Sequence, residues 1–254
     1  MVKNASVKRI AISGVWVDPV TEEEAVDRVR SFVEGGECLQ ILTANPLMIL
    51  AAEKDNDLNE AFRSAELVVA DSVGVQWAAR LQGRRLEKIS GIDLMESLCV
   101  EAAGRGWRVY FLGAAPGVAE DTARVLTARY PGLHVVGTHH GYFKGKDNSR
   151  PCEEDIIHRI AEAKPDLLFV ALSTPFQDGW IHKNRARLKA KVAMGVGGSF
   201  DVISGRLRRA PAWMRAAGLE WLFRLLQEPQ RASRMLGLPV FLTRTLLSHP
   251  WKNP

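Results

Sequence analysis

The chain has 254 residues and a formal net charge of +5, with 46% hydrophobic and 25% charged residues, a balance that excludes a disordered or fibrous protein. Its length suits one large α/β domain, or a domain of about 200 residues with an appendage. Charge divides unevenly: from Arg206 to Pro254 nine Lys or Arg stand against two acids, +7, which leaves −2 for residues 1–205.

The N-terminal MVKNASVKRIAISG has no apolar h-region, and no run reaches the ~18 apolar residues of a spanning helix. The expectation is a chain that does not cross a membrane but can lie on one. Cys38, Cys99 and Cys152 are odd in number and widely spaced. They read as reduced thiols in a cytosolic setting, not as a structural zinc site.

In chain order, a helix is predicted over 21–34, then a strand in CLQILTAN (38–45), a strand in ELVVADS (66–72) and helices over 73–81 and 93–103. RVYFLG (108–113) is the next strand, followed by a helix over 119–128 and a strand in HVVGTHH (134–140). A helix over 153–163, the strand DLLFVAL (166–172), a helix over 177–188 and the strand VAMGVGG (192–198) complete the series. Apolar runs alternating with helices imply a Rossmann-like, mostly parallel α/β sheet with helices on both faces. Beyond Gly205 strands are no longer expected; residues 206–254 read as helices interrupted at Pro211, Pro229 and Pro239. The chain therefore divides into an α/β core of 1–205 and a basic helical appendage of 206–254.

Ligands of an open parallel sheet bind beyond the carboxyl ends of its strands. Asp71 ends the run Leu67 to Ala70, either as a functional carboxylate or as the N-cap of the next helix. Thr43 and Asn45 end the neighbouring run and can hydrogen-bond a sugar or phosphate, although Asn45-Pro46 is also a common helix start. LGAAPG, with Gly113 and Gly117, resembles a loop that admits a nucleotide but equally a turn in which Pro116 starts a helix. In GVGGSFD, Gly197 and Gly198 allow close approach, Ser199 can cap a helix and Asp201 can reach a ribose hydroxyl; the Walker lysine is missing. Asp55-Asn56-Asp57 has the DxD form of a metal site but lies between helical segments beside Lys54, and reads as a turn and helix cap. His139 and His140, adjacent on a strand, face opposite ways. No metal and no cofactor are expected.

TANPLMILAAEKD, LVVADSVGVQWAARLQG, ISGIDLMESL, VYFLGAAPGVAE, ALSTPFQDGWI, GVGGSFDVISGRLRRAPAWM and GLEWLFRLLQEPQRASR occur in the order and spacing of one family. From about Ile10 to Leu247 the chain resembles the WecG/TagA/CpsF glycosyltransferases. That resemblance implies transfer of an N-acetylmannosamine-type sugar from a UDP donor to undecaprenyl-diphosphate-linked N-acetylglucosamine, early in wall teichoic acid, enterobacterial common antigen or capsule synthesis. It implies Asp71 as general base, Thr43, Asn45 and Gln177 as pocket residues, and Arg224, Arg231 and Arg234 as arginines of the appendage. Two departures stand out: Asp71-Ser72 where the family usually has Asp-Gly, and Ser173-Thr174-Pro175-Phe176-Gln177-Asp178 where it has Gly-x-Pro-x-Gln-Glu.

A lipid-linked diphosphate needs cations and an apolar surface together. On an ideal helix Arg224 and Arg231 lie within ~20° of each other and Arg234 about 60° further round, while Trp221, Leu225, Leu226, Leu236, Leu238, Phe241 and Leu246 meet bilayer or core. The expected partners are thus the UDP-sugar, the lipid-diphosphate acceptor and an anionic cytoplasmic membrane face, without nucleic acid; a homo-oligomer is left open. The rival readings are a nucleic-acid-binding α/β protein with a basic tail and a nucleotide-dependent oxidoreductase, which would want a true GxGxxG.

Overall fold

A computed structural model describes residues 8–35, 38–143 and 152–247. The chain opens with an antiparallel hairpin, β1 (Ile10–Ile12) and β2 (Val15–Val17), that the sequence reading missed. Its two-residue turn has Ser13 at φ 46° and Gly14 at φ 87°, the positive pair that a tight hairpin requires.

The core then alternates: α1 (Glu22–Gly35), β3 (Leu39–Ala44), α2 (Pro46–Ala52), α3 (Asn56–Ser64), β4 (Leu67–Ala70), α4 (Val73–Leu81), α5 (Gly91–Arg105) and β5 (Arg108–Gly113). It continues with α6 (Val118–Arg129), β6 (His134–His139), α7 (Glu153–Ala163), β7 (Leu167–Ala171), α8 (Phe176–Leu188), β8 (Val192–Gly195) and α9 (Ser199–Ile203). Each of the six expected strands is present, and they form one parallel sheet in the order β4-β3-β8-β7-β5-β6. The six expected helices are present too, while α2, α3 and α9 are additional.

Alternate strand residues feed opposite faces. Ile41, Leu67, Val69, Val109, Phe111, Leu167 and Phe169 join one apolar cluster with α1, α5, α6 and α9. Leu42 and Val68 pack on the other face with α2, α3 and α4, and Tyr110, Leu112, Leu168 and Val170 with α7 and α8. A sheet buried on both sides must therefore read as unbroken apolar runs, which is why the sequence exposed it. Phe111 stacks on Phe169 at 5.8 Å and meets Phe200 edge-on at 5.5 Å, tying α9, and with it the turn before α9, to the sheet.

The C-terminal part is helical: α10 (Ala212–Ala216), α11 (Glu220–Gln227), a 3-10 turn (Pro229–Arg231), α12 (Ala232–Met235) and α13 (Gly237–Leu247). Pro229 cannot donate a backbone hydrogen bond, α11 ends at Gln227, and Glu228 leaves helical geometry at φ −130°, ψ 74°. The break expected at Pro229 is present, so the ideal-helix phase of Arg224, Arg231 and Arg234 does not carry across it. The side chains of Arg231 and Arg234 lie outside the described ones.

The appendage is docked on the core. Arg209 grips both carboxylate oxygens of Asp93 at 2.6 Å, Lys88 pairs with Glu220 at 3.6 Å, and Arg244 pairs with Glu53. Gly237 lies so close to α2 that a Cβ there would stand 2.8 Å from Leu47 Cδ2. Phe241, 1% exposed, completes the cluster around Met48 and Ile49. Phe241→Ala is therefore expected to destabilise the protein by about 3–5 kcal/mol, the range for deleting a buried aromatic ring, measured by denaturant unfolding.

Candidate active site

The carboxyl ends of the strands stand in the order β4, β3, β8, β7, β5 along the sheet edge. Asp71 follows β4 directly, and its backbone N–H donates to Ala44 O at 2.9 Å, so the parallel ladder carries it to the edge. Its Oδ1 accepts from Gly91 N–H at 3.2 Å, at the N-terminus of α5. Ser90, the formal cap of that helix, makes no side-chain capping bond; Asp71 supplies the acceptor from across the site.

Burial pushes the Asp71 carboxyl up to about 7, against the opposing pull of the Arg224 guanidinium, the Gly91 N–H and Lys88, with Glu220 adding to the rise. A carboxylate that changes charge near neutrality, held at a strand end beside a cation, has the properties of a general base. Arg224 reaches the same place from α11: its Nη1 lies 4.0 Å from where a Cβ on Gly198 would stand. One guanidinium thus joins the neighbourhood of Asp71 to the glycine turn after β8.

Ser72 follows Asp71 in extended geometry (φ −163°) and caps α4, accepting from Val75 N–H at 3.2 Å. The turn needs no glycine, so the Asp-Ser departure is accommodated. Ser173 likewise is not among the residues with positive φ.

The remaining expected residues take distinct positions. Thr43 is buried at the end of β3 and packs on Gly91, where a Cβ would meet its Cγ2 at 3.4 Å. Asn45 caps α2, with Oδ1 accepting from Leu47 and Met48 N–H at 3.0 and 3.1 Å; its Nδ2 takes no part in that cap. Gln177 is 2% exposed and accepts from Gly197 N–H at 3.0 Å, so it props the glycine turn from behind. Gly197 adopts φ 52°. Gly198 is the N-cap of α9, and Ser199, expected as a cap, is instead its first residue and donates to Val196 O at 2.6 Å. Asp201 is half-buried in α9.

Gly113 is not brought to this group. It lies four strand spacings from Asp71, roughly 19 Å, and a Cβ there would stand 2.3 Å from Ala171 O. Its missing side chain is explained by the close approach of β7. Pro116 does not begin α6, which starts at Val118 behind Gly117 in the left-handed region. Asp55 caps α3 through Leu58 N–H at 3.1 Å and Asp57 pairs with Lys183 at 2.5 Å, as a turn and cap would.

Lys88, Gly91 and Glu220 were not singled out from the sequence. Gly91 lies within ISGIDLMESL, a quoted motif to which no role was attached; Lys88 and Glu220 carry no local signal, because their place is set by docking of the appendage.

A family model described as "Glycosyl transferase WecG/TagA/CpsF family" matches residues 10–253. Similar proteins include the N-acetylglucosaminyldiphosphoundecaprenol N-acetyl-beta-D-mannosaminyltransferases of Bacillus spizizenii (strain ATCC 23059 / NRRL B-14472 / W23), 37% identical, and Bacillus subtilis (strain 168), 35% identical, each over 81% of this chain and 78% of the relative. The protein of the same name from Staphylococcus aureus (strain MRSA252) is 32% identical over 94% of this chain and 93% of its own.

Asp71→Asn keeps the size and removes the carboxylate, so turnover should fall by at least ~100-fold, the loss expected of a general base, with the circular dichroism spectrum unchanged. In the unmodified enzyme kcat/KM should fall as pH drops through about 7, because the base must be ionised. Arg224→Gln removes the cation that favours the ionised form and should move this acidic limb to higher pH. Glu220→Gln removes an anion and should move it lower. A pH–rate profile for each variant checks all three signs.

Proposed function

This chain belongs to the WecG/TagA/CpsF glycosyltransferase family, and on that premise we propose that it moves N-acetylmannosamine, or its uronic acid, from a UDP donor to undecaprenyl-diphosphate-linked N-acetylglucosamine in cell-surface polymer synthesis. The observation that carries the chemistry is the half-buried Asp71 carboxylate, acted on by Arg224, which also lies next to the glycine turn of Gly197 and Gly198.

The reaction is an inverting displacement. Asp71 accepts the proton of the acceptor hydroxyl, whose oxygen forms the new bond to the anomeric carbon. The bond from that carbon to the diphosphate breaks, and UDP leaves with the electron pair. Arg224, next to the glycine turn, meets the growing charge on the diphosphate; a donor already in place for a developing charge is the main source of such stabilisation. The planar guanidinium suits bidentate contact with phosphate oxygens. Among the described residues no cluster of three or more His, Cys, Asp or Glu is placed to hold a metal, and the arginine route we propose needs none.

Among the described residues no helix is long and apolar enough to cross a membrane. We place the protein peripherally on the cytoplasmic membrane face, held by the appendage. Trp213, Leu226 and Leu236 are exposed by 66%, 70% and 73%, and Trp221 is also exposed, within a segment of charge +7. Basic side chains near an anionic bilayer contribute roughly 1 kcal/mol each, and exposed aromatic and Leu side chains add apolar burial in the interface.

Incubation of the purified protein with UDP-N-acetylmannosamine and a lipid-diphosphate-N-acetylglucosamine is expected to add one N-acetylhexosamine to the lipid by mass spectrometry, undiminished by a chelator. Loss of transfer on chelation would overturn the metal-free mechanism, and absence of product with either sugar donor would overturn the substrate assignment. The protein should also co-sediment with anionic vesicles and be released by salt; a W213A/L226A/L236A triple variant that pelleted as well as the original would refute the anchoring surface.

A further inference from the structure

Behind the glycine turn lies a group of buried polar side chains that the transfer reaction does not touch. Gln40, Gln177 and Asp178 are 0%, 2% and 0% exposed. Gln40 Nε2 donates to the backbone carbonyl of Asp178 at 2.9 Å, and Gln177 Oε1 accepts from Gly197 N–H at 3.0 Å. Gln40 Oε1 and both carboxylate oxygens of Asp178 lack a partner of conventional hydrogen-bond geometry. Burying such groups is costly, so their presence between β3 and the first turn of α8, in an otherwise apolar interior, calls for a reason.

Gly195 supplies the geometry. It ends β8 without a positive φ, so its backbone does not require glycine. What requires glycine is space: a Cβ there would stand 2.5 Å from Asp178 Oδ1 and 2.5 Å from Gln177 Nε2. The acceptor of Asp178 and the donor of Gln177 therefore converge on the bare face of Gly195.

A glutamine amide has two orientations, related by exchange of its oxygen and nitrogen. One presents Oε1 to Gly197 N–H and Nε2 to Asp178, so each group meets its complement. The other sets an NH2 against the Gly197 N–H and an oxygen against a carboxylate. Gly197 N–H disfavours the second orientation from one side and Asp178 from the other. Burial pushes its carboxyl up to about 7, with the Gln177 amide and its own backbone N–H opposing the rise. An acceptor oxygen remains in either charge state.

We propose that Asp178 is a positioning residue, which locks the Gln177 amide over Gly195 and thereby holds Gly197 and the turn leading into α9 in the form that faces Arg224. That this turn receives the donor diphosphate rests on the function proposed above; that Asp178 holds the turn does not.

The test compares D178A, D178N and G195A in the full chain. Asn keeps an acceptor oxygen and the size of Asp, whereas G195A leaves Asp178 intact but fills the point where the two side chains meet. In ligand-free protein the hydrogen exchange of the Gly197 amide, followed by NMR, should quicken about tenfold or more in D178A and G195A, the loss expected for one buried hydrogen bond, and stay within about threefold in D178N. In the transfer assay KM for the UDP-sugar should rise about tenfold in the first two with a smaller change in kcat, and D178N should restore it. Unchanged Gly197 exchange in G195A, which does not depend on D178A folding, would overturn the proposal, as would D178N matching D178A. Faster exchange with unaltered KM would support the positioning role while removing the turn from the donor site.

Discussion

Much of this molecule turns on the cost of keeping an ionisable carboxylate, Asp71, out of water. A buried carboxylate left alone is driven towards neutrality, and burial does raise Asp71. Three groups oppose it: Gly91 N–H from α5, Lys88 from the segment before α5, and Arg224 from the appendage. Only the first two belong to the α/β core. The ionisation of Asp71 therefore depends on the docked appendage, which supplies the Arg224 cation.

That dependence gives a purpose to contacts that would otherwise be surface ion pairs of small worth. The fork of Arg209 on Asp93 sets the start of the appendage over the N-terminal turn of α5, whose Gly91 N–H also binds Asp71. Lys88 and Glu220 pair with one another, and both act on Asp71 with opposite sign. Gly218, at φ 73°, passes so near Val73 that a Cβ would stand 2.6 Å from it, which lets the chain turn into α11 and brings Arg224 across. Phe241 then fixes the far end of the appendage by burial. Arg244 adds an ion pair with Glu53 at that end, so charge and apolar burial together hold the appendage.

The sheet was legible because both its faces are covered: Leu67 to Ala70 and Leu167 to Ala171 contain no polar residue, and such runs have few other readings. The helix α2 escaped because PLMILAA is equally apolar and follows β3 after a single residue, so periodicity could not separate the two. The β1–β2 hairpin, with three-residue strands, is too short to show a period. At the site, Asp71 and the Gly197-Gly198 turn were legible because strand ends in parallel sheets are where ligands bind. Gly113 misled for an instructive reason: a glycine at a strand end admits either a ligand or a neighbouring strand, and here Ala171 O occupies the space. The phase of the arginines failed at Pro229, where a helical wheel loses its meaning.

The glycines of the site illustrate how backbone space is turned into chemistry. Gly195 gives its side-chain volume to Asp178 and Gln177, and Gly197 takes a positive φ so that its N–H can turn back to Gln177. Replacing either glycine would fail for a different physical reason: collision with buried polar groups at Gly195, and backbone strain at Gly197. Two glycines two residues apart therefore meet two separate requirements, one of space and one of backbone conformation. The stretch that holds them joins a strand, β8, to a helix, α9, which Phe200 anchors in the core, so the segment nearest the proposed diphosphate is held at both ends.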